Sequence, residues 1–177
     1  MLIRSVKYIL LLTTFLILCN LIYYNKEHFQ NTMYNNTNTI SESETEIIGE
    51  LIISKINLNK QLYKKESKKN NVDENITILE ESIEPSQENS IMFLAAHSGT
   101  GKIAYFEDLD ELKRNDEIIL KYKNKTYYYQ VDEIWEMKKT GTIIVPKKEN
   151  KQLILTTCSP TKENYQCIID CTIKESN

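Results

Sequence analysis

Glu117-Ile118-Ile119-Leu120-Lys121-Tyr122 and Thr126-Tyr127-Tyr128-Tyr129-Gln130-Val131-Asp132-Glu133-Ile134-Trp135, separated by Lys123-Asn124-Lys125, decide the fold class. In the second run Tyr127, Tyr129 and Val131 alternate with Tyr128, Gln130 and Asp132. A period of two places one set of side chains on each face of a half-buried strand. The lysine–asparagine insert is a credible hairpin turn, so the two runs predict an antiparallel pair. Outward from this hairpin, short apolar or β-branched runs occur at 47–56, 76–79, 91–97, 153–157 and 166–173, and at 142–145 before Pro146. Residues 64–74 are polar and read as a surface loop. Only 105–113 reads as a helical turn. Many short strands without a long helical pattern predict a mainly-β domain, a small and mostly antiparallel barrel or sandwich.

A chain of 177 residues accommodates one domain plus an anchor or tail. Its 22 basic residues are offset by 25 acidic ones and form no block interleaved with aromatics, which excludes an electrostatic case for nucleic acid. There is no Walker-type or Gly-x-Gly-x-x-Gly pattern, and four glycines leave little material for a phosphate loop. No acidic cluster dense enough for a calcium site stands out. Cys167 and Cys171 lie four apart in an apolar run; on one strand their Cα atoms would be roughly 13 Å apart, too far to bridge. Their spacing matches no zinc pattern, so they read as buried packing residues.

Residues 8–24 are apolar, broken only by threonines, Cys19 and Asn20, and Arg4 and Lys7 precede them. That length is near the lower limit for a transmembrane helix, and the flanking charges put the N-terminus in the cytoplasm. A cleaved signal peptide is the competing reading, but Leu21-Ile22-Tyr23-Tyr24-Asn25 offers no small-x-small cleavage site. Bulky Leu18 before Cys19 disfavours lipidation. The expected organisation is a cytoplasmic start and anchor at 1–24, a flexible polar stalk at 25–46 and a folded extracellular domain at 47–177.

The chemistry centres on Cys158, at the end of Leu153-Ile154-Leu155-Thr156-Thr157, and on His97, at the end of the apolar run 91–96. A thiol and an imidazole delivered by two buried strands form a plausible nucleophile–acid pair. Thiolate attack on an amide also needs donors for the oxyanion, and backbone N–H groups around Cys158 are candidates, since Ser159-Pro160 turns the chain there.

These residues, in this order, resemble a sortase, a membrane-anchored cysteine transpeptidase of Gram-positive bacteria. Gly49-Glu50-Leu51-Ile52-Ile53-Ser54-Lys55-Ile56-Asn57-Leu58 is similar to the family's opening strand, and Gln61-Leu62-Tyr63 follows. Phe93-Leu94-Ala95-Ala96-His97-Ser98-Gly99 resembles the histidine segment, with Ala96 where glycine is usual. Tyr105-Phe106-Glu107-Asp108-Leu109 through Asp116-Glu117-Ile118 resembles the segment after it. Ile154-Leu155-Thr156-Thr157-Cys158 is similar to the T-L-x-T-C pattern, with Ile154 in place of the first threonine. The resemblance implies a closed eight-stranded β barrel, no cofactor, and cleavage of an LPxTG-like sorting signal at Thr–Gly by Cys158. It implies that His97 protonates the departing amine. An amine from a cell-wall precursor or a pilin then resolves the thioacyl enzyme at the outer face of the membrane. The polar stalk lacks the Asp-Pro-aromatic lid of pilus-building sortases, which points to a lidless type.

The resemblance also implies an arginine on the last strand, and here the chain departs. Its arginines are Arg4, in the anchor segment, and Arg114, in a polar loop. The family position falls on Gln166, with Tyr165 the neighbouring alternative; Lys162 is a less favoured candidate from the loop after Cys158. Three readings stay open: an active enzyme using Gln166, a slow enzyme, or a surface module that binds without turnover.

Overall fold

The computed structural model describes residues 17, 18, 20–29 and 46–176. It separates into two units, Met1–Thr45 and Glu46–Asn177. In the first, residues 20–29 are helical, so helix continues past residue 24 into the segment expected to be stalk. Most of the expected transmembrane segment, and residues 30–45 of the stalk, lie outside the described residues. Among those described, no helix is long and apolar enough to cross a membrane.

The second unit contains β1 (Ile47–Ile53), β2 (Leu58–Tyr63), β3 (Thr77–Ile78), β4 (Ile91–Ala95), β5 (Glu117–Tyr122), β6 (Lys125–Lys138), β7 (Gln152–Cys158) and β8 (Tyr165–Ser176). Short 3-10 turns stand at Ser54–Ile56 and Leu109–Glu111. The β5–β6 hairpin forms as its alternation predicts, with Ile118 opposite Tyr129 and Leu120 opposite Tyr127. Those four side chains are buried, whereas Tyr128, Gln130 and Asp132 on the other face are only partly covered. Sheet order is β2-β1-β5-β6-β8-β7-β4-β3. Every neighbouring pair is antiparallel except β4 and β7, which run parallel.

The edge strands β2 and β3 approach each other without a ladder of their own, so the barrel is nearly closed rather than closed. Side chains of the intervening loop bind β3 and the chain that follows it. Asn70 accepts from the Ile78 N–H at 2.7 Å and donates to the Ile78 carbonyl at 3.0 Å, and Lys65 Nζ donates to the Glu80 and Ser82 carbonyls. The backbone groups of buried Ile78 are thereby paired, as buried backbone requires. Leu51, Ile53, Leu62, Leu94, Ile118, Tyr129, Val131, Leu153, Leu155 and Ile169 fill the interior, each contributing about 1.5–3 kcal/mol through burial.

Three details differ from the sequence reading. Residues 47–56 do not form one strand: β1 ends at Ile53, and Asn57, in the left-handed region at φ 52°, reverses the chain into β2. That strand leaves no pattern in the sequence, because only Leu58 and Leu62 of Leu58–Tyr63 are buried. Residues 142–145 form no strand: among the described residues they join no ladder, and the segment between β6 and β7 is held instead by isolated bonds at Pro146 and Lys148.

Candidate active site

The parallel β4–β7 pair sets the site. Its register runs from Ile91 opposite Gln152 to Ala95 opposite Thr156. Pairing continues one step further: the Ala96 N–H donates to the Thr156 carbonyl at 3.3 Å, and Thr157 Oγ1 donates to the Ala96 carbonyl at 2.8 Å. The next residues outward on these adjacent strands are His97 and Cys158. Ser98 Oγ donates to the Cys158 carbonyl at 3.1 Å, tying the two chain segments together beyond the strand ends. Because side chains alternate, buried Thr157 points inward with Leu153 and Leu155, and Cys158 emerges exposed on the outer face.

Cys158 is paired with Gln166 across β7 and β8, whereas Tyr165 is paired with Lys138 of β6. Directly opposed residues project to the same face. Gln166, not Tyr165, is therefore the last-strand neighbour that shares Cys158's side of the sheet. Arg114 is exposed in the loop before β5.

Two contacts could not be anticipated from the sequence. Lys139 Nζ lies 2.9 Å from Cys158 Sγ. Lys139 follows directly on β6, and its N–H donates to the Asn164 carbonyl at 2.8 Å, extending the β6–β8 ladder to the rim. His97 Nε2 lies 3.3 Å from Asp73 Oδ1, but Asp73 is 87% exposed, so this pair contributes at most about 1 kcal/mol. No local pattern singles out either residue; each is one charged side chain in a polar loop.

The turn after Cys158 uses its own donors. The Ser159 N–H donates to the Tyr165 carbonyl at 2.9 Å, and the Thr161 and Lys162 N–H groups donate to Ser159 Oγ. The expected backbone oxyanion donor following the nucleophile is therefore already committed, and Pro160 has no N–H. Glu136 accepts hydrogen bonds from Lys162 Nζ at 2.6 Å, from Ser159 Oγ and from Thr161 Oγ1. The Lys162 bond, followed by that of Ser159, holds the Glu136 carboxyl below the usual range. Lys162 is thus directed to Glu136 rather than to the sulfur.

The segment between β6 and β7 covers the outer face beside the site. Gln152 donates to the Pro146 carbonyl at 3.0 Å, and Lys148 Nζ bridges Asp170 at 2.8 Å and Asp132 at 2.9 Å. With β4 and the chain after β3, this segment lines a groove of about 190 Å³ bounded by Leu79, Glu81, Phe93, Gly141, Thr142 and Ile143. Burial pushes the Cys167 thiol up to about 11 and raises that of Cys171 well above its ordinary value. Among the described residues no cluster of His, Cys, Asp and Glu could hold a metal ion.

An eight-stranded barrel with a cysteine and a histidine at the rim of a parallel strand pair defines a class, and the comparisons agree with it. The chain belongs to the sortase family: the family's Sortase domain matches residues 51–173. Sortase C1 of Streptococcus agalactiae is 31% identical and superposes with a TM-score of 0.60, covering 74% of this chain and 69% of that one. Streptococcus pneumoniae sortase C (22% identity, TM-score 0.63, 73% and 70% covered) and Listeria monocytogenes sortase A (17%, 0.62, 75% and 90%) share the fold. No individually curated protein matches the chain. Sortases are cysteine transpeptidases, and that is the kind of enzyme to which this chain belongs.

Proposed function

We propose that this chain is an active transpeptidase that cleaves an LPxTG-like sorting signal between threonine and glycine and joins the acyl part to an amine. Cys158 Sγ attacks the threonine carbonyl carbon; the C–N bond to glycine breaks, and His97 gives a proton to the departing amine. An acceptor amine then attacks the thioester. Its nitrogen forms the new amide, the C–S bond breaks, and its proton passes to His97, which restores the starting pair. The observation that carries this reading is the parallel β4–β7 register, which brings His97 and Cys158 out at one rim.

In this scheme the substrates are secreted proteins bearing the signal, and the acceptor is a cell-wall precursor or a pilin. The S. pneumoniae sortase C structure is described as bearing on pilin substrate specificity, which makes a pilin acceptor a natural one to test. Residues 1–24 would anchor the enzyme with its barrel outside the cell. Exposed Ile17, Leu18, Leu21 and Ile22 on the described part of that segment suit a lipid environment.

The test is incubation of the full chain with an LPxTG-type peptide library and an amine, with mass spectrometry of the Cys158 peptide. A thioacyl adduct on Cys158 that the amine releases is the expected result. Absence of any adduct, where a control sortase forms one, refutes the reading. A second reading, a barrel that binds signals without turnover, is favoured by the uncharged Gln166 opposite Cys158. It requires that Cys158→Ala keep the cellular role, and loss of that role in the variant excludes it.

A further inference from the structure

Sulfur attack on a carbonyl moves negative charge from the thiolate to an oxygen on the attacked carbon, so a site of this kind needs a donor beside the sulfur. Most of the nearby donors are engaged elsewhere. The N–H groups of Ser159, Thr161 and Lys162 are hydrogen bonded within their own turn, and residue 160 is proline. Lys162 is bound to Glu136, and Arg114 is exposed in a distant stretch of sequence. Gln166 shares the face of Cys158 but carries no charge.

We propose that Lys139 is a catalytic residue of this site: its ammonium, 2.9 Å from Cys158 Sγ, stabilises the thiolate and then the oxyanion. The proposal rests on the transpeptidase reading and supplies the positive charge that reading lacks on the last strand. Among the described residues Lys139 enters no salt bridge, so no carboxylate competes with the sulfur. Its backbone is fixed on one side by the bond to Asn164. On the other, Gly141, at φ 82°, and the Thr140 Oγ1 bond to the Thr142 carbonyl turn the chain away. The charge therefore comes from the end of β6 and crosses β8 to reach β7, instead of standing on β8 itself.

The role requires that Lys139 keep its proton throughout. A neutral amine so close to the thioester would attack it, break the C–S bond and form a dead-end amide on Nζ. Charge retention makes the same residue a stabiliser and not an acceptor.

The test uses the full chain and its Lys139→Met, Lys139→Gln and Lys139→Arg variants, with two readouts. The first is carbamidomethylation of Cys158 by iodoacetamide at neutral pH, followed by peptide mass spectrometry; this needs no sorting signal. Loss of a close but partly screened positive charge should slow it about tenfold in Lys139→Met, with Lys139→Arg within about threefold of the parent and the gap narrowing at high salt. The second is thioacyl formation with the peptide, where kcat should fall roughly 100-fold in Lys139→Met with KM changed less than about twofold. Cys167 and Cys171 report folding, since they stay unlabelled in an intact barrel; if Lys139→Met exposes them, Lys139→Gln takes its place. Parent-like alkylation in a folded charge-free variant overturns the proposal, as does equal loss in folded Lys139→Arg, or an amide found on Lys139. If the parent chain forms no thioacyl adduct at all, the sorting-signal reading fails while the alkylation series still judges Lys139.

Discussion

Replacing Lys148 with methionine tests how the β6–β7 segment is held over the barrel. Lys148 Nζ stands between Asp170, whose side chain is fully buried, and Asp132, at 2.8 and 2.9 Å. Methionine keeps the length of the side chain but strands the Asp170 carboxylate, which among the described residues then keeps only the neutral amide of Gln152, at 3.1 Å. Breaking a buried ion pair costs about 3–5 kcal/mol. Lys148 is 25% exposed, so water can reach the vacated position, and about 2–3 kcal/mol is the better figure. For a barrel of this size that lowers Tm by roughly 8 °C.

The cluster also has a defined pH window. Burial works against the charge on Lys148, but hydrogen bonds to Asp170 and then Asp132 outweigh it and hold the ammonium above the usual lysine value. Its contribution is full below the unfolded lysine value and is lost as pH rises through the higher folded one. Burial likewise opposes the Asp132 charge, but bonds from Thr172 and Lys148 prevail and hold that carboxyl low. Its contribution is present above the unfolded carboxylate value and is lost as pH falls through the folded one. The Lys148→Met deficit should therefore be flat near neutral pH and shrink at both extremes.

The assay is urea unfolding followed by circular dichroism, with Trp135 fluorescence as a local probe. Trp135 lines a groove with Ile144, Val145 and Pro146 and reports whether the segment stays docked. Adding Asp170→Asn removes the stranded charge and should recover at least about 1 kcal/mol, a coupling the double-mutant cycle measures directly. A Lys148→Met chain within about 0.5 kcal/mol of the parent, or strict additivity of the two changes, refutes the reasoning.

Two further outcomes can be measured on the same material. In the native barrel an aromatic disulfide reagent should modify Cys158 and spare Cys167 and Cys171. Burial holds the Cys167 thiol near 11, so its labelling should stay slow until pH approaches that value; fast labelling of Cys167 at mildly alkaline pH contradicts the packing. Gly49→Ala puts a Cβ 2.2 Å from the Lys121 carbonyl oxygen, a backbone atom of the paired β5. The two strands must separate there, with a loss of about 3 kcal/mol in urea unfolding, and a neutral effect would show that the β1–β5 approach is looser than described.

The parts of the fold legible in the sequence are those written locally. The β5–β6 hairpin follows from the alternation around Tyr127, Tyr129 and Val131, and β7 from an apolar run that stops at Cys158. The strand β2 is hidden because residues 59–61 at its middle are exposed, and the β-branched run at 142–145 suggests a strand where, among the described residues, no ladder forms. Asp170 read as one more residue of an apolar run, although its burial depends on Lys148, twenty-two positions earlier in the chain and supplied by a loop.

By itself the sequence determined that a mainly-β domain carries Cys158 and His97 at the ends of apolar strands, because side-chain period and run length are properties of neighbouring residues. Only the tertiary structure decided that β4 runs parallel to β7, which makes those two ends adjacent, and that Gln166 rather than Tyr165 shares the face of Cys158. It alone placed Lys139 on the sulfur, across an intervening strand and nineteen residues along the chain. Strand order and register depend on which distant segments bury their apolar faces together. A single charged side chain at a strand end therefore acquires a partner only once the whole sheet has formed.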